Sequence, residues 1–269
     1  MLRGGGRGGP EQRLTTAVVD LSRPRLDNGS RAKSPIPPLG LGPGREAAAR
    51  RLQLLWGPNR TMRTFVYVDG FNLYFGALRR TRYRWLNLQT LCQLMLAAHN
   101  RIDKIKYFTA YVTQRPQDPL QPARQQAYLR ALKTIPHLEV ILGHFLTHEV
   151  NMPLAGTPVG QPMKYVKVLK TEEKGSDVNL ATHLVHDAHL DRFDLAVIVS
   201  NDSDLLEAVK IIKGLGKQVG VLNPHPNPSR VLLREATFMK PIRQGPLSAS
   251  QFPTQMTDSQ GTFHKPPSW

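Results

Sequence analysis

Short β-rich runs alternate with segments of helical spacing between residues 63 and 243, and this alternation limits the folds open to the chain. The runs Thr64–Asp69 and Leu195–Val199 are almost continuously apolar and β-branched, which is typical of strands buried in a parallel sheet. Further strands are predicted over 105–112, 138–142 and 218–222, and 165–169 alternates as an edge strand would. Every strand but the last is therefore expected to connect to the next through a helix or a crossover.

Helices are predicted between these strands from the spacing of apolar residues and from capping residues. They begin at Asn87, cover roughly 118–134, run from Gly175 to about Leu190, and run from about Asp204 to Leu215. Because β-α-β crossovers are right-handed and cover both faces of a sheet, the pattern predicts an α/β fold of three layers. Its central sheet is mainly parallel and flanked by helices.

The composition changes outside this region. Residues 1–61 hold 10 of the 21 glycines and 7 of the 22 prolines, which predicts a disordered Gly/Pro/Arg-rich leader. This leader has two interpretations, an RNA-binding arm or an unselected segment, and Met62 directly before the first strand favours the second. Residues 62–243 are predicted to form the folded domain, and residues 244–269 a flexible C-terminal tail.

The charge balance favours partners that are rich in phosphate. The chain has 36 Lys and Arg against 20 Asp and Glu, a net charge of +16. Its single cysteine, Cys92, excludes a disulfide framework and suits a cytoplasmic protein. No apolar run approaches the roughly 18 residues that a membrane helix needs, so no membrane partner is predicted.

Acidic residues stand where predicted strands end and a helix begins. Asp69 ends the first strand, Asp202 and Asp204 follow the strand at 195–199, and Asp177 opens the helix after Gly175. Each has a structural explanation, since Asp-Gly marks a turn and Asp or Ser caps helices. Together, however, they bring carboxylates to one edge of one sheet, where ligands bind in such folds.

Carboxylates that lie close together repel one another unless a cation neutralises them. Oxygen ligands without cysteine or paired histidine suit Mg²⁺ or Mn²⁺ better than zinc. A basic surface that holds a phosphate backbone, with a metal that activates water, is the arrangement that phosphodiester cleavage requires. The residues alone therefore suggest a metal-dependent nuclease, with RNA and DNA both open as substrates.

Four segments resemble, in order and spacing, the NYN domain, a branch of the PIN-like nucleases that includes LabA-like proteins. They are Val68-Asp-Gly-Phe-Asn72, Lys174-Gly-Ser-Asp-Val-Asn-Leu-Ala181, Val199-Ser-Asn-Asp-Ser-Asp-Leu205 and Gly216-Lys-Gln-Val-Gly-Val221. The resemblance covers about residues 63–240. It implies a PIN-like (Rossmannoid) fold and a ribonuclease that hydrolyses RNA with a divalent metal.

The resemblance also implies roles for the acids. Asp69, Asp177 and Asp202 would hold the metal, and Asp204 would assist as a fourth catalytic acid.

Three polar residues would serve the substrate or the loop: Asn72 as a neighbour of the first acid, Lys174 near a phosphate, and Ser200 as an orienting or phosphate-binding residue. Asn201 stands where many relatives have glycine, and its side chain is expected to crowd the approach to the substrate.

Other interpretations remain open beside the nuclease. One is a non-catalytic RNA-binding or regulatory NYN module, and a homo-oligomer or a regulatory protein partner is compatible with either. A phosphatase with a strand-end Asp is disfavoured, because Phe71 occupies the place of its second Asp. His183, His186 and His189 are predicted to lie on a solvated helix surface and not to form a metal cluster.

Overall fold

The computed structural model describes residues 18–20, 61–156, 158 and 160–269, which fall into two compact units. Of the described residues, 18–20 and those between 145 and 173 belong to the smaller unit, and 61–144 and 174–269 belong to the larger. The described strands, in chain order, are β1 (Val18–Asp20), β2 (Met62–Asp69), β3 (Asn100–Thr109), β4 (Leu138–Leu142), β5 (His144–Pro153), β6 (Tyr165–Lys174), β7 (Leu195–Val199), β8 (Gln218–Asn223), β9 (Phe238–Pro241), β10 (Gln255–Asp258) and β11 (Gly261–His264).

The described helices all belong to the larger unit. They are α1 (Gly70–Leu73), a π-helical turn (Tyr74–Leu78), α2 (Leu88–Met95), α3 (Gln121–Lys133), α4 (Ser176–His189), a 3₁₀ turn (Ser203–Leu205), α5 (Leu206–Gly214), α6 (Arg230–Glu235) and α7 (Gln244–Ala249). The four helices predicted from the sequence correspond to α2 to α5, with ends that differ by a few residues. The π-helical turn, α6 and α7 carried no recognised sequence signal.

The central sheet of the larger unit has six strands, all parallel, in the order β4-β3-β2-β7-β8-β9. Its two faces carry separate apolar clusters. On β2, Val66 and Val68 join the cluster formed with α2, α3 and α7, whereas Tyr67 joins the cluster formed with α4, α5 and α6. The predicted three-layer α/β architecture is therefore confirmed.

Cys92 lies in the first of these clusters, on α2. It is fully buried, and burial raises the pKa of its thiol to about 12. It therefore packs the core, as predicted, and is not a reactive thiolate at neutral pH.

The strand order reverses between β2 and β7. From β2 the chain moves through β3 to β4 on one side, and from β7 through β8 to β9 on the other. Val68 pairs with Val199 across this boundary, so Asp69 and Ser200 leave the sheet side by side. The loops that follow neighbouring strands diverge at such a switch point, and the crevice between them is where ligands bind in open parallel sheets.

The smaller unit contains a three-stranded sheet in the order β1-β6-β5, in which β1 runs parallel to β6. Residues 165–169 were predicted to form an edge strand, and that was wrong, because they lie in β6 in the middle of this separate sheet. Tyr165 and Val166 are exposed. A strand whose side chains face solvent does not suit a sheet that is covered by helices on both faces.

The predicted disordered leader falls almost wholly outside the described residues. Within it, Val18–Asp20 forms β1, so three residues of the segment are in a strand. The remainder of residues 1–60 lies outside the part of the chain that the structure describes, and so does the choice between an RNA-binding arm and an unselected segment.

The C-terminal segment is not a flexible tail, and that prediction was wrong. Residues 244–249 form α7, and β10 and β11 pair antiparallel. Phe252, Phe263 and Trp269 surround the ring of Trp85 with centroid distances of 6.0 to 6.5 Å, and the Trp85 indole N–H donates to the Pro253 carbonyl at 2.8 Å. These apolar residues are too widely spaced to show a period, but together they cover a large buried aromatic side chain.

No helix among the described residues combines the length and the apolar character that crossing a bilayer demands.

We predict that the C-terminal segment contributes to the stability of the larger unit. Leu247 on α7 is 4% exposed within the core, so Leu247→Ala should lower the free energy of unfolding by about 2–5 kcal/mol. Leu94 on α2 is 55% exposed, and Leu94→Ala, the same chemical change, should alter it by less than about 0.5 kcal/mol. Urea denaturation measures both. Equal, small effects would mean that α7 does not pack on the core.

Candidate functional site

Asp69 is a buried carboxylate at the carboxyl end of β2. Its side chain is 4% exposed and caps α1, accepting a hydrogen bond from the Asn72 backbone N–H at 2.9 Å. Its second oxygen accepts from the Ser200 hydroxyl at 3.0 Å. Gly70 follows because a Cβ there would lie 2.7 Å from the Phe108 carbonyl oxygen. The sequence suggested a tight turn at Asp69-Gly70, whereas the structure has a short helix that Asp69 caps, and capping does not explain why this carboxylate is buried.

The loop after β7 is fastened to Asp69 through Ser200. The fully buried Ser200 hydroxyl accepts from the Asp202 backbone N–H at 3.1 Å while it donates to Asp69. The Asp202 carboxylate then accepts from the Asp204 N–H at 3.0 Å and starts the 3₁₀ turn. Both hydrogen-bonding directions of Ser200 are therefore used inside the protein, and this geometry supports its predicted role in orienting the loop over the role in binding phosphate.

Asn72 joins the two strand ends. Its backbone N–H bonds to Asp69, and its side-chain oxygen accepts from the Asn201 backbone N–H at 2.9 Å. Its oxygen is thus engaged in fixing the loop after β7, and substrate contact by Asn72 remains a prediction.

Asp177 reaches the same edge from the first turn of α4. Gly175 precedes this helix with φ of 98°, a left-handed conformation that favours glycine. Asp177 is exposed, as is Lys174 immediately before the helix. Because α4 leads into β7, it begins at the carboxyl edge of the parallel sheet, as the sequence predicted.

Electrostatics show that three of the predicted acids share one environment. Burial raises the pKa of Asp69, and the negative charges of Asp177 and Asp202 raise it further. Hydrogen bonds from the Asn72 N–H and the Ser200 hydroxyl act in the opposite direction, and the resulting pKa is about 7. Asp204 is exposed at the start of the 3₁₀ turn. Asp69, Asp177 and Asp202 therefore form what we call the acidic site, with Asp204 at its margin.

The donors of the acidic site suit a hydrated Mg²⁺ or Mn²⁺ ion. Within the described ranges, no three Asp, Glu, His or Cys side chains converge closely enough to enclose a metal by themselves. Mg²⁺ retains several waters and is commonly held by one or two carboxylates, so it does not require such a cage. A cation would also relieve the repulsion that raises the pKa of Asp69. The residues present therefore fit the ion that the sequence predicted.

Asn201 makes contacts that sequence reasoning missed. Its side-chain N–H donates to the Asn227 carbonyl at 2.9 Å, and its side-chain oxygen accepts from the Ser229 N–H at 2.7 Å. The side chain that was expected to crowd the substrate instead ties the loop after β7 to the loop after β8. A glycine could make neither of these side-chain bonds.

His225 is a second residue that sequence reasoning missed. Burial lowers the pKa of its ring, and the adjacent backbone of Asn72 opposes this shift. The buried Asn223 side chain holds it on both sides, accepting from the His225 N–H at 2.8 Å and donating to its carbonyl at 2.9 Å. The available signal was the run Asn223-Pro-His-Pro226, which places polar and turn residues directly after a buried strand.

A buried polar network fixes α4 against the sheet. The Asp187 carboxylate, fully buried, accepts from the Tyr67 hydroxyl at 2.7 Å, from Lys106 Nζ at 2.6 Å and from Arg192 at 2.8 Å. Burial raises the pKa of Asp187, but these donors outweigh it and hold the pKa below its usual value. Tyr67 lies two residues before Asp69 and Asp187 is on the helix of Asp177, so the network sets the spacing of two site acids.

This network also explains one of the three histidines. His183 was predicted to be solvated, and that was wrong: it is half-buried, with Nδ1 at 3.1 Å from Lys106 Nζ. His186 and His189 are exposed, as predicted.

Of three comparisons with known proteins, one identifies a family, and none establishes an activity for this chain. The family model described as NYN domain matches residues 63–241. The chain is 31% identical over 236 residues to "6-hydroxy-3-succinoylpyridine 3-monooxygenase HspA" of Pseudomonas putida (strain DSM 28022 / S16), covering 77% of this chain and 75% of that protein. A crystal structure of a protein of unknown function from Vibrio parahaemolyticus RIMD 2210633 matches with 19% identity and a TM-score of 0.45, over 70% of this chain and 97% of that one.

We predict that Asp69 destabilises the metal-free protein at neutral and higher pH. Its pKa is about 7 in the folded state against an ordinary 3.8, so the stability gained by protonating it is complete below pH 3.8 and is lost as the pH rises through 7. Asp69→Asn should therefore raise the melting temperature relative to wild type more at pH 8 than at pH 5, in EDTA.

The matched control is Asp191→Asn. Asp191 is exposed, and its bonds to Lys217 and Arg63 lower its pKa, so it stays ionised across this range. Its effect on the melting temperature should be the same at pH 5 and pH 8. A pH-independent effect of Asp69→Asn would show that this carboxyl does not titrate near neutrality.

Proposed function

The chain belongs to the NYN domain family, and on that basis we propose that it is a ribonuclease that hydrolyses RNA phosphodiester bonds with Mg²⁺ or Mn²⁺ at the acidic site. The observation that carries the proposal is the environment of Asp69. A carboxylate that is buried at the switch point of the sheet, and whose pKa is raised by two further acids, is costly for folding. A cation that binds there would offset this cost.

The charge distribution supports a polyanionic substrate. The chain as a whole has a net charge of +16, while the acidic site concentrates negative charge at one edge of the sheet. Phosphate groups are attracted to the basic surface and are repelled by the acids unless a cation lies between them. This combination favours nucleic acid over a small neutral substrate. Membership of the NYN family favours RNA over DNA.

The roles of the acids follow from their positions. When bound, the metal would activate water and stabilise the departing oxygen. Asp69, Asp177 and Asp202 would hold it, in part through the waters that such an ion retains, and Asp204 would support it from the margin. Lys174, exposed one residue before Gly175, would contact a phosphate.

The remaining polar residues act on the carboxylates. Ser200 and the Asn72 N–H each hold one oxygen of Asp69, so the carboxylate cannot rotate freely. Asn201 keeps the loop of Asp202 in place through Asn72 and Ser229. We infer that these residues hold the carboxylates in place, because their polar groups are already bonded inside the protein.

The proposal includes a cytoplasmic location. The only cysteine, Cys92, is free and buried, as suits a reducing compartment. A homo-oligomer or a regulatory protein that restrains cleavage is compatible with the same site.

A second candidate function rests on the relative HspA. The similarity to this relative, at 31% identity, extends over 77% of this chain. The family model covers less of it, because it spans only residues 63–241, which are 179 of the 269. That protein is named as a monooxygenase of a hydroxylated pyridine. A monooxygenase needs O₂ and a two-electron reductant, and it transfers one oxygen atom to its substrate while the other leaves as water.

We predict cleavage of RNA by the wild-type chain with Mn²⁺ or Mg²⁺ and none with EDTA. The assay uses full-length protein and end-labelled single-stranded RNA, resolved on a denaturing gel. Asp69→Asn should lower the cleavage rate by more than about 100-fold, since loss of a metal ligand costs more than loss of a residue that orients one. Asp191→Asn, which removes an exposed acid before β7, should cleave at the wild-type rate.

Three results would contradict the nuclease. Cleavage that survives in Asp69→Asn would show that the site is wrong. Binding of RNA without cleavage in either metal would favour the non-catalytic RNA-binding module. Oxygen consumption with 6-hydroxy-3-succinoylpyridine and a reduced nicotinamide, in the absence of RNA cleavage, would favour the monooxygenase.

A further inference from the structure

A cavity of about 550 Å³ opens in the larger unit beside the acidic site. Its walls come from the π-helical turn and the residues after it, from the loop after β8, and from the start of α7. We call it the arginine pocket, after Arg80 and Arg82 in its lining. Its volume lies within the range of about 300–1,000 Å³ that is usual for small-ligand sites.

The arginine pocket shares a wall with the acidic site. Gly76 lines the pocket and follows Asn72, which bonds to Asp69, by about one helical turn. His225 lines the pocket too, and its ring lies beside the Asn72 backbone. A Cβ at Gly76 would lie only 2.7 Å from His225 Cδ2, so helix and loop are in direct contact at this wall. This wall of the pocket is therefore connected to Asp69 through Asn72.

The π-helical turn gives this wall its shape. The Arg79 N–H bonds to the Tyr74 carbonyl at 2.7 Å, five residues back, which widens the helix directly after the cap at Asp69. Such turns are rare and occur frequently at functional sites. Here the wider turn ends at Arg79, and the chain then enters the pocket at Arg80.

The two arginines give the pocket an unneutralised positive charge. Both are exposed, and none of the ion pairs found in the described part of the chain uses either of them. The guanidinium carbon of Arg82 lies 5.6 Å from the centre of the Tyr83 ring. Other arginines of the larger unit, such as Arg101 and Arg130, are paired with carboxylates.

We propose that the arginine pocket binds one unpaired nucleotide of an RNA strand, next to the phosphodiester bond at the acidic site. Its phosphate lies against Arg80 and Arg82, and its base lies in the cavity against His225, Pro226 and Ile242. This inference rests on the proposed function. A base must leave a duplex to enter a cavity of this kind, so the pocket selects single-stranded over double-stranded substrate.

Charge and shape both favour a nucleotide over other ligands of the same size. Planar guanidinium groups match phosphate oxygens, and proline and imidazole rings offer flat surfaces to a base. Asn72 bonds to Asp69 and lies beside the pocket residue His225, so it connects the two places. The proposal therefore concerns substrate selection at the acidic site and not a separate activity.

Binding of RNA without turnover tests the pocket. Full-length protein in EDTA is titrated into a fluorescein-labelled 12-nucleotide single-stranded RNA and, separately, into its duplex, and the anisotropy is measured. Arg80→Ala/Arg82→Ala should raise the Kd for the single strand about tenfold or more, because two phosphate contacts are lost. Gln244→Trp should raise it as well, since this exposed residue lines the pocket and the larger side chain fills it without a change of charge.

The matched control removes two positive charges at the opposite edge of the sheet. Arg101→Ala/Lys104→Ala acts at the start of β3, on residues that are paired with Asp103 and Glu139. The Kd of this variant for the single strand should stay within about threefold of the wild type. Duplex binding should be the same for the wild type and for Gln244→Trp.

The outcomes separate the pocket from the nuclease. Three results would overturn the pocket. The arginine variant could bind the single strand as tightly as the control variant does, or Gln244→Trp could weaken binding of the single strand and of the duplex equally. The third is a wild-type protein that binds no RNA. If the pocket variants lose binding while the wild type fails to cleave RNA with Mn²⁺, the pocket stands and the nuclease fails. If the wild type cleaves and the pocket variants bind and cleave equally well, the nuclease stands and the pocket fails.

Discussion

The side-by-side pairing of β2 with β7 is the constraint on which the rest of the larger unit depends. With Val68 opposite Val199, Asp69 and Ser200 must emerge together, and their hydrogen bond closes the gap between two strands that lie far apart in the sequence. From this pair the chain turns in opposite directions, into α1 on one side and into the 3₁₀ turn on the other. The crevice of the parallel sheet is thereby bounded by polar residues on both sides.

The same strand pairing buries the Asp69 carboxylate, which lowers the stability of the fold. A carboxylate at this boundary is almost wholly removed from water, and two further acids face it. A chain selected for stability alone would place a neutral residue there, because burying a charge without a counter-charge is costly. Proteins bury uncompensated charges of this kind mainly at functional sites, and we therefore explain the acidic site by function. The Asp187 network shows the contrast, since its buried charge is met by donors on three sides.

The fold could be predicted from the sequence where its signals are local. Buried strands such as Leu195–Val199 are apolar throughout, and acids directly after strand ends mark the carboxyl edge of the sheet. The packing of Trp85 could not be predicted, because its partners Phe252 and Phe263 follow more than 160 residues later and show no period. The place of β6 also escaped prediction, since alternation identifies a half-exposed strand without showing which sheet it joins.

The candidate site was predictable to the level of its acids. Asp69, Asp177 and Asp202 were recognisable from position, and their electrostatic coupling agrees with that choice. The positioning contacts of Asn201 and His225 were not, because each depends on a partner brought close by the neighbouring loop. Polar residues in loops carry no periodic signal, so their partners emerge only from the folded structure.

Diffraction from crystals of the full chain soaked in Mn²⁺, recorded at a wavelength where manganese scatters anomalously, tests the central claim most directly. We expect an anomalous peak within coordination distance of an Asp69 carboxylate oxygen, about 2.0–2.3 Å for a small divalent cation, and its loss in crystals of Asp69→Asn. A strongly diffracting wild-type crystal with no peak at Asp69, or with a peak that persists in the variant, would show that Asp69 does not bind the ion.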